Sequence, residues 1–218
     1  MSLISLQHAL AQATPPRWTP PERFLAGGAW ICLPRGLSGP GSAGDHAWAA
    51  AVVMDGRRVV GRSSITGRTA APYVPGLLAL RLAPLFEDVV RRLRPQPEVL
   101  LLDATGRDHP RRAGLATQLG AVLDLPTVGV THRPLTACGD WPADEAGATA
   151  PLTVDAEQVA TWLRTKPGTR PLVVHPGWRT DLGTAVQVVQ ASLAGRRTPE
   201  PLRQARQMAR RARGSEDL

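Results

Sequence analysis

The sequence predicts an α/β protein built around one mixed sheet, in which antiparallel hairpin strands are followed by parallel strands, with helices on the flanks. Two apolar runs on either side of Asp55-Gly56 indicate a β-hairpin, because Asp-Gly suits the tight turns that join antiparallel strands. After Pro75 the apolar residues recur at helical spacing, and strand-like and helix-like segments then alternate. A hairpin followed by such alternation is typical of a mixed sheet flanked by helices.

The first part of the chain, residues 1–28, is predicted to be an irregular lead-in that contains a short helical stretch. Pro15, Pro16, Pro20 and Pro21 disfavour regular structure there, because proline lacks an N–H donor and has a fixed φ. Three antiparallel strands are predicted next, over Ala29–Leu33, Ala47–Met54 and Arg57–Gly61, with a loop rich in Gly and Ser over Gly36–Gly44 between the first two.

The remaining elements follow from hydrophobic period and turn signals. Pro75 suits the first turn of a helix, and a continuous apolar run after that helix ends at Asp103. Residues 133–153 are rich in Pro, Gly, Ala and Asp and are predicted to be irregular. The later elements are predicted as strands over Val99–Leu102, Thr127–Val130, Val159–Arg164 and Leu172–His175, the last two forming a hairpin, and helices over Arg112–Leu123, Asp181–Leu193 and Arg196–Arg213.

One domain is expected, since 218 residues can bury one sizeable core and no long linker divides the chain. Its bounds are predicted as residues 29–205, with the basic segment 206–218 as a C-terminal tail. Neither a membrane-spanning run nor a secretory signal is apparent, so we expect a soluble, cytoplasmic protein without a membrane partner. Cys32 and Cys138 show no zinc-site spacing and are expected to be reduced thiols.

The net charge of +8 and the pI near 11.2 would attract a polyanion such as nucleic acid. Lys166 is the one lysine among the 26 basic residues, however, and a chain rich in Arg, Ala, Gly and Pro is also what a GC-rich coding sequence produces. The seven arginines between Arg196 and Arg213 allow the same two interpretations, a nucleic-acid contact or a solvated helix face. Charge alone therefore leaves the function open.

Three segments are more specific than the composition. They read PYVPGLLALR (Pro72–Arg81), LLDATGRDHPRRAGLATQLG (Leu101–Gly120) with DLPTVGV (Asp124–Val130), and RTKPGTRPLVVHPGWR (Arg164–Arg179). In this order and spacing, and with the closing RRTPEPLRQA (Arg196–Ala205), the chain resembles the endonuclease V family, the deoxyinosine 3′ endonucleases, from about the first strand to residue 205.

The resemblance implies a ribonuclease H-like fold and a nucleic-acid partner, either DNA or RNA. Members of the family act in DNA repair: they recognise inosine and hydrolyse a phosphodiester on its 3′ side with magnesium. Such hydrolysis uses carboxylates that hold one or two divalent cations against the scissile oxygens. A wedge separates the lesion from its stack before the base enters a pocket.

Several positions match the family. Asp103, at the end of a predicted strand, matches a catalytic aspartate that binds the metal. Tyr73 matches the aromatic residue of the wedge, although an aromatic side chain at a helix start can also be a packing residue. The resemblance assigns nucleic-acid contacts to Tyr73, Val74, Pro75, Gly76, Gly106 and Arg111, and a catalytic role near the phosphate to His109.

Other positions depart from the family. Where it carries an aspartate in the first strand, Cys32–Arg35 are predicted to take the place, and where it carries a glutamate in the first helix the chain has Leu82. The family's lysine is His132 here, which we keep as a catalytic candidate. Trp178 replaces a histidine and Ala104 replaces a glycine at the lip of the base pocket, and both are candidates for nucleic-acid contact. Catalytic carboxylates are therefore missing at two positions, so the chain resembles a divergent member.

Three functions remain open from the sequence. The first is a pseudoenzyme that engages inosine-containing or otherwise damaged nucleic acid, with magnesium-dependent cleavage lost or severely impaired. The second is an active nuclease with a rebuilt metal site, which would suit manganese or zinc. The third is a non-enzymatic scaffold for an unknown protein partner, with Trp178 filling the cleft. Ligands of the rebuilt site would come from Asp103, Asp108, His109, His132 and His175, on loops expected to gather at one end of the sheet.

Overall fold

The computed structural model describes residues 2–36 and 40–216. Residues 37–39 of the predicted Gly- and Ser-rich loop lie outside the described residues, as do residue 1 of the lead-in and residues 217–218 of the tail. None of the described helices is both long and apolar enough to cross a membrane. In chain order the elements are α1 (Leu3–Gln12), β1 (Leu25–Cys32), β2 (His46–Asp55), β3 (Arg58–Arg68), α2 (Leu78–Arg91), β4 (Val99–Leu102), α3 (Leu115–Leu123), β5 (Thr127–Thr131), β6 (Thr149–Val154), β7 (Glu157–Leu163), β8 (Leu172–Pro176), α4 (Leu182–Ala191) and α5 (Glu200–Glu216).

The strands form one eight-stranded sheet in the order β3-β2-β1-β4-β5-β8-β7-β6. The pairs β1–β4 and β4–β5 are parallel, whereas the pairs of β1 with β2, β5 with β8 and β8 with β7 are antiparallel. Successive residues of β4 alternate between two cores: Leu100 and Leu102 pack with α2 and α3, and Val99 and Leu101 pack with α4. This arrangement confirms the predicted mixed sheet flanked by helices.

The first three strands confirm the predicted antiparallel unit. Gly56, in the turn between β2 and β3, has a φ of +56°, a conformation that glycine adopts at little cost. β1 begins at Leu25 instead of Ala29, and β3 continues to Arg68, so both elements are longer than predicted. From Gly61 to Arg68, exposed positions of β3 alternate with positions that are partly or fully buried, because one face of this edge strand lies against solvent.

The prediction that residues 133–153 are irregular is wrong at their C-terminal end, where β6 begins at Thr149 and pairs with β7. β6 is an edge strand that contains Pro151. Proline cannot donate a ladder hydrogen bond and is tolerated at a sheet edge, so its presence hid the strand in the sequence. The predicted antiparallel pairing of the segments that form β7 and β8 is confirmed.

The C-terminal segment packs on the sheet, in contrast to the predicted tail beginning at residue 206. α5 crosses that boundary, and Leu202, Ala205 and Ala209 on it are buried. The helix lies very close to β1: a Cβ on Gly28 would be 2.3 Å from the carbonyl carbon of Pro201. Glycine in the strand and alanines in the helix therefore bring the basic helix directly onto the strand next to β4.

Candidate nucleic-acid site

Asp103 directly follows β4, and the strand register identifies its neighbour on β1. The two strands are parallel, with Ala29 opposite Leu102, so the next positions along them are Trp30 and Asp103. The prediction that Cys32–Arg35 take the place of a site aspartate is wrong, because the register puts Trp30 level with Asp103 and Cys32 two residues further along β1. The position beside Asp103 is held by an indole.

Arg206 of α5 lies over the ring of Trp30, with the guanidinium carbon 5.2 Å from the ring centroid. Protein atoms crowd the carboxyl of Asp103 and raise its pKa, while the charge of Arg206 acts in the opposite direction. Asp103 nevertheless stays exposed at the surface. Asp103, at the end of the fourth strand of the sheet, thus lies within reach of the positive charge of Arg206.

Leu82, which the sequence resemblance places where the family carries a glutamate, lies in α2 and packs against the apolar cluster beneath that helix. The neighbouring Arg81 is 2% exposed, and its guanidinium donates to the carboxylate of Asp45 at 2.6 Å. The hydrogen bond from Arg81 holds the pKa of the Asp45 carboxyl below its usual range. The start of α2 therefore presents an apolar side chain, Leu82, and an arginine that is already paired with Asp45.

The segment that matches the wedge forms a turn with its side chains in solvent. Tyr73 and Val74 are 42% and 40% exposed, and the N–H of Leu77 closes the turn on the carbonyl of Val74 at 2.9 Å. Gly76 has a φ of +74°, in the region that favours glycine. Large residues exposed on a hydrogen-bonded turn are available to a ligand without rearrangement.

The carbonyl of Gly76 is held by three donors. The Nε2 of Gln7 donates to it at 3.0 Å, Nη2 of Arg111 at 2.7 Å and Nε2 of His109 at 3.2 Å. His109 accepts from the N–H of Arg111 through Nδ1, so its ring hydrogen is on Nε2. Arg111 also donates through Nε to Oε1 of Gln7. We call Gln7, His109 and Arg111 the wedge clamp.

The wedge clamp changes the interpretation of His109 and Arg111. Burial first, and then the charge of Arg111, lower the pKa of His109, which favours the neutral ring that donates to Gly76. In this structure the two side chains point to the wedge turn rather than to an open phosphate site. Contact of His109 and Arg111 with nucleic acid stays a prediction. In the structure both side chains stabilise the wedge turn through the carbonyl of Gly76.

Two small residues of the loop after β4 are explained by packing. A Cβ on Gly106 would lie 1.9 Å from the carbonyl oxygen of Pro176, so the close approach of β8 requires glycine. The methyl group of Ala104 is 5% exposed and belongs to the apolar core with Leu102. The expectation that Ala104 adds a methyl group at the lip of a base pocket is therefore wrong, because that methyl group points into the core.

Asp108 and His175 do not lie on an open loop edge, as the rebuilt metal site would need. Asp108 is fully buried and accepts from the N–H groups of Leu135, Thr136 and Ala137 at 2.7 to 2.8 Å. Burial acts to raise the pKa of Asp108, but these hydrogen bonds outweigh it and the pKa is lowered. His175 lies within β8, and burial lowers its pKa to about 4. Among the residues that the structure describes, no group of three His, Cys, Asp or Glu side chains could hold a metal ion.

His132 follows β5 and is exposed. Its Nδ1 lies 3.3 Å from Nη2 of Arg197, which donates to it. Burial of the ring lowers the pKa of His132, and the charges of Arg197, Arg206 and Arg170 lower it further. His132 and Asp103 thus share Arg206 as a neighbour, and the structure brings these two predicted site residues onto one face.

Trp178 lies elsewhere. Its N–H donates to Oγ1 of Thr127 at 2.8 Å, and its carbonyl accepts from the N–H of Thr127 at 3.0 Å. Thr127 begins β5, whereas Asp103 is level with Val130, so the two sites are separated by about 10 Å along the strand. Trp178 lines a cavity of about 660 Å³ together with Arg107 and Arg112. It does not close the cleft beside Asp103.

Trp30, Gln7 and the three arginines around His132 were missed by the sequence interpretation. Trp30 falls in an apolar run, where it is indistinguishable from a core residue. Gln7 contacts a turn that is 69 residues away in the chain. The large number of arginines in the sequence indicated a basic surface. That three of them lie around His132 could not be predicted, because it depends on how α5 packs against the loop before β8.

The three antiparallel strands, the two parallel strands beside them and the helices on both faces define a ribonuclease H-like α/β protein. The endonuclease V family model matches residues 38–207, and the chain belongs to this family. The endonuclease V of Roseiflexus castenholzii is 39% identical over 175 residues, which cover 79% of this chain and 79% of that protein. Both the family and the fold implied by the sequence resemblance are thereby confirmed.

Solved structures agree with this assignment. The crystal structure of endonuclease V from Streptomyces avermitilis matches with a TM-score of 0.87 at 33% identity and covers 98% of this chain and 92% of that one. A crystal structure of Ciona intestinalis endonuclease V, in complex with a DNA containing an inosine followed by a ribo-adenosine, has a TM-score of 0.80 at 21% identity and covers 97% of this chain and 96% of that one. The latter likeness concerns the fold.

Proposed function

We propose that this endonuclease V-family chain binds inosine-containing or otherwise damaged nucleic acid, and that magnesium-dependent cleavage is lost or severely impaired. The observation that carries the proposal is the neighbour of Asp103: Trp30, with Arg206 over its ring, stands where a second carboxylate would be needed. Leu82 removes another carboxylate from the start of α2.

The residues present do not fit a magnesium site. Magnesium is a hard cation with six oxygen ligands and is usually anchored by more than one carboxylate or by carboxylate and phosphate together. Asp103 supplies one carboxylate, and the guanidinium of Arg206 next to it repels a divalent cation. Hydrolysis by the family's route would therefore lack the charge that stabilises the scissile phosphate.

Binding, in contrast, has its parts in place. Tyr73 is exposed on a turn whose carbonyl is fixed by three donors, which is the arrangement that a side chain needs to enter a base stack. A flat ring in a held position also loses little entropy on stacking. The inosine-containing DNA in the Ciona intestinalis complex supports this ligand class for the fold.

One gel series tests the proposal. Purified chain is incubated with single-inosine DNA, single-inosine RNA and matched plain strands, with magnesium or manganese, and both nicking and retained complexes are scored. Retention without nicking is expected. Magnesium-dependent nicking that disappears in Asp103→Ala would contradict the proposal. Nicking with manganese alone would favour a rebuilt site, and the absence of both nicking and retention would favour a scaffold.

The wedge gives a second test. Tyr73→Ala should reduce the preference for inosine over plain strands more than it reduces total affinity, because phosphate contacts elsewhere are unchanged. The matched control is Leu135→Ala, another exposed large side chain, which should change neither quantity. An equal loss on inosine and plain strands in Tyr73→Ala would show that the ring is not a lesion-reading wedge.

A further inference from the structure

A continuous run of basic and aromatic side chains leads away from Asp103 across one face of the protein. Arg206 lies over the ring of Trp30. The positive charges of Arg197, Arg206 and Arg170 each lower the pKa of His132. Arg197 donates through Nη2 to His132 at 3.3 Å and through Nε to the carbonyl of Arg170 at 2.8 Å. The guanidinium of Arg170 in turn lies 5.8 Å from the ring centroid of Trp141. We call this set, Trp30, Arg206, His132, Arg197, Arg170 and Trp141, the arginine arc.

Most of the positive charge of the arginine arc has no close carboxylate partner among the described residues, although the charge of Arg206 also acts on the carboxyl of Asp103 at longer range. None of Arg170, Arg197 and Arg206 forms an ion pair in the part of the chain that the structure describes, whereas Arg164 and Arg203 nearby are paired with Asp144 and Glu200. Nε of Arg206 is buried without a hydrogen-bond partner. Like charges held together are unfavourable unless an anion joins them. The arc is therefore arranged for an anionic ligand.

Trp141, at one end of the arginine arc, has an exposed ring on which a base could stack. Its side chain is 54% exposed although it is large and apolar. One edge is supported by the T-shaped contact with Trp162 at 6.4 Å, and Arg164 lies 5.6 Å from the ring centroid. An exposed ring beside an arginine without an ion pair, here Arg170, is a combination that suits single-stranded nucleic acid, because bases stack on aromatic rings and phosphates bind cations.

We propose that the arginine arc binds a single-stranded stretch of nucleic acid directly, with phosphates on Arg170, Arg197 and Arg206 and a base stacked on Trp141, and that it does so without a divalent cation. The neutral His132 accepts from Arg197 at Nδ1, which leaves its Nε2–H to donate to a phosphate oxygen. The inference deepens the proposed function, since it adds strand contacts that are independent of the wedge turn.

Fluorescence anisotropy with labelled single strands in EDTA tests the arc. Arg197→Met and Arg206→Met should each weaken binding several-fold, and each lost phosphate contact should reduce the salt slope by about 0.7. Arg57→Met, in the β2–β3 turn, changes the net charge equally and is the matched control with little expected effect. Trp141→Ala should weaken binding roughly tenfold, and Trp141→Phe should restore most of it. Thermal midpoints of all variants identify any that fail to fold, and Arg197→Lys serves as a milder replacement for a destabilised variant.

The outcomes separate the arc from the wedge. Arc variants should lose affinity equally for inosine and plain strands, whereas Tyr73→Ala should lose preference. The arginine arc would be refuted if three folded variants bound single strands as tightly as the control Arg57→Met does, even if inosine preference persisted. These variants are Arg197→Met, Arg206→Met and Trp141→Ala. Loss of wild-type binding in EDTA would overturn its cation independence. Wild-type binding without inosine preference would refute the proposed function and leave the arc standing.

Discussion

Gln7→Leu removes the support of the wedge turn without changing any residue of the turn. Gln7 is fully buried, and both ends of its amide are used: Nε2 donates to the Gly76 carbonyl and Oε1 accepts from Nε of Arg111. Leucine has a similar size, so the loss is one of hydrogen bonds more than of packing. The substitution therefore isolates the contribution of the wedge clamp.

The magnitude follows from the two lost contacts. A hydrogen bond between neutral groups contributes about 0.5–1.5 kcal/mol, and an arginine nitrogen left buried without an acceptor costs about 1–3 kcal/mol. The total is roughly 1.5–4.5 kcal/mol, shared between the global fold and the local position of Gly76. If about 1–2 kcal/mol of it falls on the turn, inosine preference should fall by roughly 5- to 30-fold.

Competition binding is the assay, with labelled inosine strands displaced by plain strands at fixed salt, and urea unfolding measured on the same samples. Gln12→Leu is the matched control, because Gln12 is exposed on the same helix. It should keep both the preference and the stability. Unchanged inosine preference in folded Gln7→Leu would refute the argument that the clamp holds the turn for its ligand.

Three further outcomes are expected. Asp108→Ala should lower the free energy of unfolding by about 2–4 kcal/mol, because it removes the buried acceptor shared by three N–H donors of the 135–137 segment; a urea-unfolding change below about 1 kcal/mol would contradict this. The stability difference between the wild type and Asp45→Asn should be complete at neutral pH and shrink as the pH falls below about 3.8, since Arg81 depresses the folded-state pKa of Asp45; a difference independent of pH down to 3 would count against the pair. Trp30→Asp alone should not create magnesium affinity measurable by calorimetry, because the new carboxylate would meet Arg206; tight magnesium binding would show that Arg206 leaves the site freely.

The sheet was predictable because each strand carries its own local signal. Asp55-Gly56 marks the first hairpin, and the apolar run before Asp103 marks the central strand. β6 was not predictable, since Pro151 weakens a strand signal unless the strand is known to lie at an edge. Local sequence signals are therefore enough to predict most strands. They fail for a strand such as β6, whose proline is tolerated only because the strand lies at the edge of the sheet.

In the candidate site, the family motif points to Asp103 and the wedge segment from the sequence, but it does not point to the residues that contact them. Trp30 could be recognised only once the register of β1 against β4 was known. Gln7 and Arg197 contact their partners across 69 and 65 residues of chain. Such contacts depend on packing between elements, and single-sequence patterns carry no information on them.

The proposed loss of metal-binding carboxylates and the proposed binding by the arginine arc have the same electrostatic explanation. In a site with two or three carboxylates, a bound divalent cation is what allows a phosphate to approach, because without it the like charges repel. A chain that binds nucleic acid without the cation must therefore remove carboxylates, add fixed cations, or do both. On the proposed function, Trp30 and Leu82 stand in place of carboxylates, and the charge of Arg206 acts on Asp103. Random decay of a nuclease would remove ligands without adding positive charge near the remaining aspartate, so this combination supports the proposal of retained binding.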